Sequence, residues 1–193
     1  MEEYFVSLEQ ALRQGNWREA NENTRCLCKD QVPSLAQIRR IDNLWQDYSS
    51  DRFGFTPQYQ VWKELGGPSL EPWSRHDVIP STDVFELYTF FYKFGDEVGW
   101  RRGGSWVCWP GMPPPGTSPK LFPTLELENR DAYSFPKGCL PFHDVMTGYD
   151  EKAFEPRDCW GEHIWWLWAK LLSHVPELRR SEENLASPNK NGG

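Results

Sequence analysis

Residues 34–48, SLAQIRRIDNLWQDY, decide the fold class of this chain of 193 residues. Ser34 followed three residues later by Gln37 is a capping-box pattern, which predicts where a helix begins. The apolar residues then recur at intervals of three and four, the spacing of one helix face: Leu35, Ile38, Ile41, Leu44, Trp45 and Tyr48. No run of alternating apolar and polar residues predicts a strand, and there is no internal repeat. The sequence therefore predicts an all-α fold.

Upstream of this segment, the spacing predicts a helical hairpin broken at Gly15-Asn16. Asn16 followed by Glu19 is a second capping pattern. The apolar face of the first helix comprises Tyr4, Leu8, Ala11 and Leu12. The second helix continues with Trp17, Ala20, Thr24 and Leu27.

Downstream, two further helices are expected before the Pro-rich part of the chain. Thr56 followed by Pro57 predicts a helix start, and residues 58–65 form a helix that stops at Gly66-Gly67. After an irregular loop over 66–81, Asp83 with Glu86 predicts another start, and Gly95 an end. Its apolar stripe comprises Val84, Leu87, Tyr88, Phe91 and Phe94.

The composition of the rest of the chain predicts a loop, a last helix and a disordered tail. Residues 103–119 hold four Gly and five Pro, which predicts a long loop. A last helix over about 162–175 carries Trp165, Trp168, Leu172 and Val175. We expect a helical domain over 1–142, a Trp-rich extension over 143–180 packed on it, and a disordered tail over 181–193.

Charge and composition exclude several function classes. Lys and Arg total 21 against 28 Asp and Glu, a net charge of −7, so a nucleic-acid partner is not expected. No stretch approaches the ~20 apolar residues of a membrane span. The first residues, MEEYFVSLEQ, resemble no targeting peptide, and we expect a bacterial cytoplasm or, for a plastid-encoded protein, the stroma.

The cysteines favour neither a disulfide framework nor a metal site. There are five, an odd and scattered set that suits a reducing compartment. Cys26-x-Cys28 has the wrong spacing for a zinc knuckle. Cys139 and His143 lack the electropositive setting and orienting group that a nucleophile needs. We expect no catalytic residue and no metal ligand.

Aromatic and arginine side chains make the stronger candidate site. The chain has 11 Trp, 11 Phe and 7 Tyr. Residues 51–55 (DRFGF) and 95–106 (GDEVGWRRGGSW) each combine rings, guanidinium groups and glycine. These residues either pack in the core or form a pocket for a flat, apolar ligand that carries carboxylates, which Arg binds bidentately.

Four blocks, in order over residues 4–142, resemble the genomes-uncoupled-four family of porphyrin-binding regulators of chlorophyll synthesis. They are residues 12–24 (LRQGNWREANENT), 41–58 (IDNLWQDYS, then RFGFTPQ), 98–101 (VGWR) and 137–141 (KGCLP). In the last block Cys139 stands where the family has His. Thr56-Pro57 replaces the family's Ser-Val, and the loop around 110–119 looks longer than in the family.

The resemblance implies a compact multi-helix domain with a cupped, apolar tetrapyrrole cleft. It implies a non-enzymatic protein that binds protoporphyrin IX or magnesium protoporphyrin and assists magnesium chelatase through the large, porphyrin-binding subunit. On this basis we expect ring contacts from Phe53, Phe55, Trp100 and Trp106. Arg52, Arg101 and Arg102 would pair with the propionates, and Leu140 and Pro141 would line the cleft.

Two alternatives stay open. The chain could be a haem- or bilin-binding sensor, or a protein-interaction module that has lost the chelatase role. The Trp-rich extension would then dock a partner, although packing on the core is its simpler role. A cysteine-dependent enzyme that uses Cys139 is the remote third option.

Overall fold

The structure of the protein is a computed structural model that describes residues 1–28, 33–70, 81–102, 105–106, 131–141 and 170–178. For residues 81–88, 102, 105 and 106 it describes the backbone only. Its α-helices are α1 (Glu2–Arg13), α2 (Trp17–Cys28), α3 (Leu35–Ser49), α4 (Phe55–Glu64) and α5 (Ser81–Glu97). Two short strands, β1 (Arg101–Arg102) and β2 (Ser105–Trp106), and a 3-10 turn at Ala132–Ser134 follow. The all-α prediction is confirmed.

Helices α1 and α2 form the expected hairpin. Asn16 caps α2, since its Oδ1 accepts the Glu19 N–H at 3.2 Å. The predicted face of α2 is buried throughout. On α1 the prediction is wrong at one position: Tyr4 is 39% exposed, whereas the neighbouring Phe5 is 3% exposed. The inward face of α1 therefore starts with Phe5 and continues at three- and four-residue spacing.

Helix α3 confirms the helix that was predicted from residues 34–48. The capping box between Ser34 and Gln37 is present in both directions. Ile38, Ile41 and Trp45 are 0% exposed. The Trp45 Nε1–H donates to Thr24 Oγ1 on α2 at 3.0 Å, so the one polar atom of this ring is satisfied inside the core.

The start of α4 differs from the prediction. The N-cap position is Gly54, and Thr56 and Pro57 lie inside the first turn. Asp42 of α3 caps the helix instead: Oδ1 accepts the Thr56 N–H at 3.0 Å, and Oδ2 accepts the Thr56 hydroxyl at 2.6 Å. A carboxylate at this position also interacts favourably with the positive end of the helix dipole.

The end of α5 was also predicted wrongly. The helix passes through Gly95 and ends at Glu97, because Phe91, Phe94 and Val98 continue one buried face. The strands β1 and β2 then pair antiparallel, with β2 inside the segment 103–119 that was expected to be a loop. Two-residue strands are too short to give an alternating pattern.

The described residues share one hydrophobic core, which includes Leu171, Leu172, Val175 and Leu178. These four lie in helical turns over 170–173 and 175–178, and the second of these turns extends beyond the predicted helix end at 175. Trp165 and Trp168, the rest of the 103–119 loop and the 181–193 tail lie outside the described residues. Within the described part, no helix is long and apolar enough to span a membrane.

Candidate functional site

The second and fourth sequence blocks come together through main-chain hydrogen bonds, and the third block joins them through a side chain. The Gly54 N–H donates to Leu140 O, and the Gly138 N–H donates to Arg52 O, both at 2.8 Å. These two bonds fasten residues 138–140 to the entry of α4. We call this assembly of residues 52–58, 98–101 and 131–141 the frame.

Two buried side chains complete the frame. The Gln58 Nε2–H donates to Pro141 O at 2.8 Å, and the Trp100 Nε1–H donates to Cys139 O at 2.6 Å. Gln58 and Trp100 are both 0% exposed. Their bonds satisfy polar atoms that would otherwise lie buried without partners, which stabilises the closed arrangement.

Three of the four aromatic residues predicted as ring contacts belong to the core of this structure. Phe53, Phe55 and Trp100 are all 0% exposed. Phe53 meets Trp17 edge to face with ring centres 5.3 Å apart. Trp100 meets Phe94 in the same way at 5.4 Å. These rings support one another and leave no face toward solvent.

The residues predicted to line a cleft are buried as well. Leu140 is 0% exposed, and Pro141 is also buried. Both lie against α4 within the frame, through the hydrogen bonds of their carbonyl groups. Their role in ligand binding stays a prediction.

Arg52 lies half-buried at the edge of the frame. Its Nε–H donates to Ala132 O at 3.2 Å, and its Nη2 group donates to Phe135 O. The guanidinium carbon lies 4.8 Å from the centre of the Tyr133 ring, and Tyr133 is 64% exposed. Arg52 therefore holds residues 132–135 in place and supports an exposed ring.

Arg101, on β1, makes a similar arrangement with residues of α5. Its Nη1 group donates to Asp96 Oδ2 at 2.8 Å and to Tyr92 O at 3.2 Å. The guanidinium carbon lies 4.6 Å from the centre of the Tyr92 ring, which belongs to a residue that is 44% exposed. In the β1–β2 ladder Arg101 pairs with Trp106 and Arg102 with Ser105. The side chains of Arg102 and Trp106 lie outside the described part.

The cysteines in the described part are free thiols in structural settings. Burial raises the pKa of the Cys28 thiol to about 12, so this residue stays protonated and unreactive near neutral pH. Cys139 is 0% exposed. No group of three or more His, Cys, Asp or Glu side chains that could hold a metal ion occurs among the residues described. His143 and His163 lie outside them.

The sequence reasoning missed a set of cation and ring pairs on α4 and α5. Lys63 Nζ lies 6.0 Å from the centre of the Tyr59 ring, and Lys93 Nζ lies 5.8 Å from that of Phe90. Both rings are half-buried, whereas both lysines are exposed. Their spacing of four and three residues is a helix-surface pairing pattern that could have revealed them.

A comparison with protein families agrees with the second, third and fourth sequence blocks. A family model described as GUN4-like matches residues 30–153, a range that includes the frame and every predicted site residue. One solved structure, described as the ligand-free structure of Arabidopsis thaliana GUN4, is similar at 20% identity and a TM-score of 0.47. That match covers 89% of this chain and 93% of the Arabidopsis chain. The comparison with curated proteins finds no match.

Proposed function

The chain belongs to the GUN4-like family, and on that premise we propose that it is a non-enzymatic tetrapyrrole-binding regulator. Its ligand is protoporphyrin IX or magnesium protoporphyrin. Its task is to assist magnesium chelatase in chlorophyll biosynthesis, through contact with the large, porphyrin-binding subunit of that enzyme.

The observation that carries this proposal is the pair of arginine–tyrosine stacks at the edge of the frame. Arg52 lies under Tyr133 and Arg101 under Tyr92. A tetrapyrrole offers a wide apolar face for such rings, and propionates that guanidinium groups bind strongly. Covering a few hundred Å² of apolar area at about 25 cal/mol/Å² contributes several kcal/mol before the cost of association.

Under this proposal the buried rings contact the ligand when the frame opens. Phe53, Phe55 and Trp100 become accessible once residues 131–141 move away from the start of α4. Leu140 and Pro141 then line the space between them. The hydrogen bonds that must break are those that join residues 131–141 to Arg52, Gly54, Gln58 and Trp100.

A titration tests the proposal directly. Protoporphyrin IX, magnesium protoporphyrin, haem and biliverdin are each added to the full chain while tryptophan quenching and pigment absorbance are followed. The 11 tryptophans make quenching sensitive. Saturable micromolar binding of the magnesium porphyrin is expected and leads to a chelatase assay with the large subunit. Preference for haem or biliverdin favours a sensor instead, and saturable binding of none of the four refutes the proposal.

One variant tests the assigned arginine. Arg101→Ala removes a charge-assisted pair with a propionate, which weakens porphyrin binding by about 1.5–3 kcal/mol, or roughly 10- to 150-fold. Arg40→Ala is the matched control, because Arg40 is an exposed arginine paired with Glu2 on α1. Equal affinities for the two variants would show that Arg101 does not bind the ligand.

A further inference from the structure

Residues 131–141, which we call the strap, keep their shape through hydrogen bonds within the segment. Asp131 caps the 3-10 turn, since its Oδ1 accepts the Tyr133 N–H at 3.1 Å. Farther along, the Cys139 N–H donates to Pro136 O at 3.2 Å. Neither bond depends on a residue outside the strap. The strap can therefore move as one piece when its bonds to the rest of the frame break.

Arg52 attaches the strap at three points. Its Nε–H donates to Ala132 O, and its Nη2 group donates to Phe135 O. Its carbonyl group accepts the Gly138 N–H at 2.8 Å. The same guanidinium group lies under the Tyr133 ring. Loss of this one side chain would thus remove two hydrogen bonds and a ring contact together.

The guanidinium attachment differs from the buried ones in its access to water. Arg52 is half-buried. Gln58 and Trp100, which also donate to carbonyl groups of the strap, are 0% exposed. A bond at the surface opens at lower cost, because water replaces the lost partner. A carboxylate competes better still, since charge-assisted bonds are stronger than bonds to neutral carbonyl groups.

We infer that Arg52 is the latch of the strap: its release lets the strap lift from α4 as a local unit, without unfolding of the helices. The inference rests on the proposed function, in which the frame opens to admit the ligand, and it names the residue that regulates this opening. Arg52 is then a positioning residue in the closed frame, where it holds residues 132–135. Its guanidinium group becomes available to a carboxylate only after release.

Thiol labelling of the ligand-free full chain tests the latch. Cys139 lies in the strap and is 0% exposed, so iodoacetamide reaches it only when the strap opens or the chain unfolds. Cys28 is 1% exposed on α2 and reports unfolding outside the frame. Both rates are measured in the same sample by peptide mass mapping.

Three variants separate opening of the strap from unfolding. Arg52→Ala removes the latch. Arg52→Lys keeps the charge but has one nitrogen where the arginine uses two, and it provides the test should Arg52→Ala fail to fold. Leu8→Ala is the control for general destabilisation, because Leu8 is 0% exposed in the core face of α1.

The expected result is selective. Arg52→Ala labels Cys139 about 10- to 100-fold faster and Cys28 at the unmodified rate, because the loss of bonds from a charged donor favours local opening alone. Arg52→Lys gives an intermediate rate at Cys139. Leu8→Ala accelerates labelling of Cys28 at least as much as that of Cys139.

Binding of protoporphyrin IX dimethyl ester connects the latch to the site. The ester has no carboxylate to pair with an arginine. A ligand that binds only the open frame gains apparent affinity as the open fraction rises. Arg52→Ala should therefore bind the ester more tightly than the unmodified protein does, up to the factor by which Cys139 labelling increases. Protoporphyrin IX itself gains less, because it loses a pair with the guanidinium group.

Three outcomes overturn the inference. One is an unchanged Cys139 rate in Arg52→Ala, and another is equal acceleration at Cys139 and Cys28, which would mean unfolding. The third is unchanged or weaker binding of the ester by Arg52→Ala, because the latch would then not control access. If the unmodified protein binds no tetrapyrrole, the proposed function fails, while the thiol rates still decide whether Arg52 holds the strap.

Discussion

Replacement of Gly54 by alanine tests how the frame is joined to α3. Gly54 has φ +125° and ψ 176°, a backbone conformation that is essentially restricted to glycine. A Cβ at this position would lie 2.5 Å from Asp42 Oδ1 and 3.4 Å from Asp42 O. The added methyl group therefore meets the carboxylate that caps α4.

The cost has two parts. Forcing a non-glycine residue into this region costs about 1–3 kcal/mol. Displacement of the Asp42 carboxylate breaks its hydrogen bonds to the Thr56 N–H and hydroxyl in a buried setting, which costs about 1–3 kcal/mol more. We expect Gly54→Ala to lower the free energy of unfolding by about 2–6 kcal/mol. For a chain of this size that is a fall in Tm of roughly 10 °C.

Urea unfolding of Gly54→Ala and Gly66→Ala separates the two parts. Gly66 has φ +80°, but a Cβ there would meet nothing within 4 Å, so this control carries backbone strain alone, about 1–2 kcal/mol. Asp42→Ala/Gly54→Ala should lose less than the sum of the single variants, because the clash is gone. If Gly54→Ala and Gly66→Ala lose the same free energy of unfolding, the capping argument is wrong.

The remaining predictions concern the Asp42 cap and the buried thiol. Thr56→Val should lower the free energy of unfolding by about 1–3 kcal/mol in urea, because it deletes the hydroxyl donor to Asp42 Oδ2; an unchanged urea midpoint would contradict this. Native-state alkylation followed by peptide mapping should modify Cys26 and spare the buried Cys28. Stability should also fall as the pH rises from about 9 to about 12, since the unfolded thiol of Cys28 loses its proton first while the folded pKa is about 12. Cys28→Ala should be less sensitive over that range, and identical pH profiles would exclude the effect.

Local signals predicted most of the helices. They failed where a residue distant in sequence determines the position at which a helix begins or ends. The capping box at Ser34 and the spacing along α3 involve neighbours within one turn, so the sequence contains them completely. The cap of α4, in contrast, does not come from a neighbour within one turn. Thr56 looks like a helix start in isolation, but Asp42, fourteen residues earlier, supplies the carboxylate and moves the start to Gly54. Propensity alone also ended α5 at Gly95, where burial of Phe94 and Val98 carries the helix onward.

The candidate site was predicted less completely than the fold, because composition does not distinguish a core ring from a surface ring. Phe53 and Trp100 stand beside arginines in sequence, and the structure buries both. Arg52, expected to be a ligand for propionates, donates to the main-chain carbonyls of Ala132 and Phe135 in this structure. The rings that remain accessible, such as Tyr133, lie beside arginines in space but not in sequence. Only the packing of the frame shows which face of each residue is exposed.

The way in which Cys139 joins the frame has a consequence for divergence. Its carbonyl accepts the Trp100 indole proton, and its own N–H donates to Pro136 O at 3.2 Å. Both bonds belong to the peptide groups and not to the side chain. A family histidine can therefore be exchanged for cysteine without the loss of either bond. The local structure at this position depends on main-chain N–H and C=O groups, which every residue type except proline possesses. The side chain can therefore change, and its reactivity with it, while the local structure stays the same.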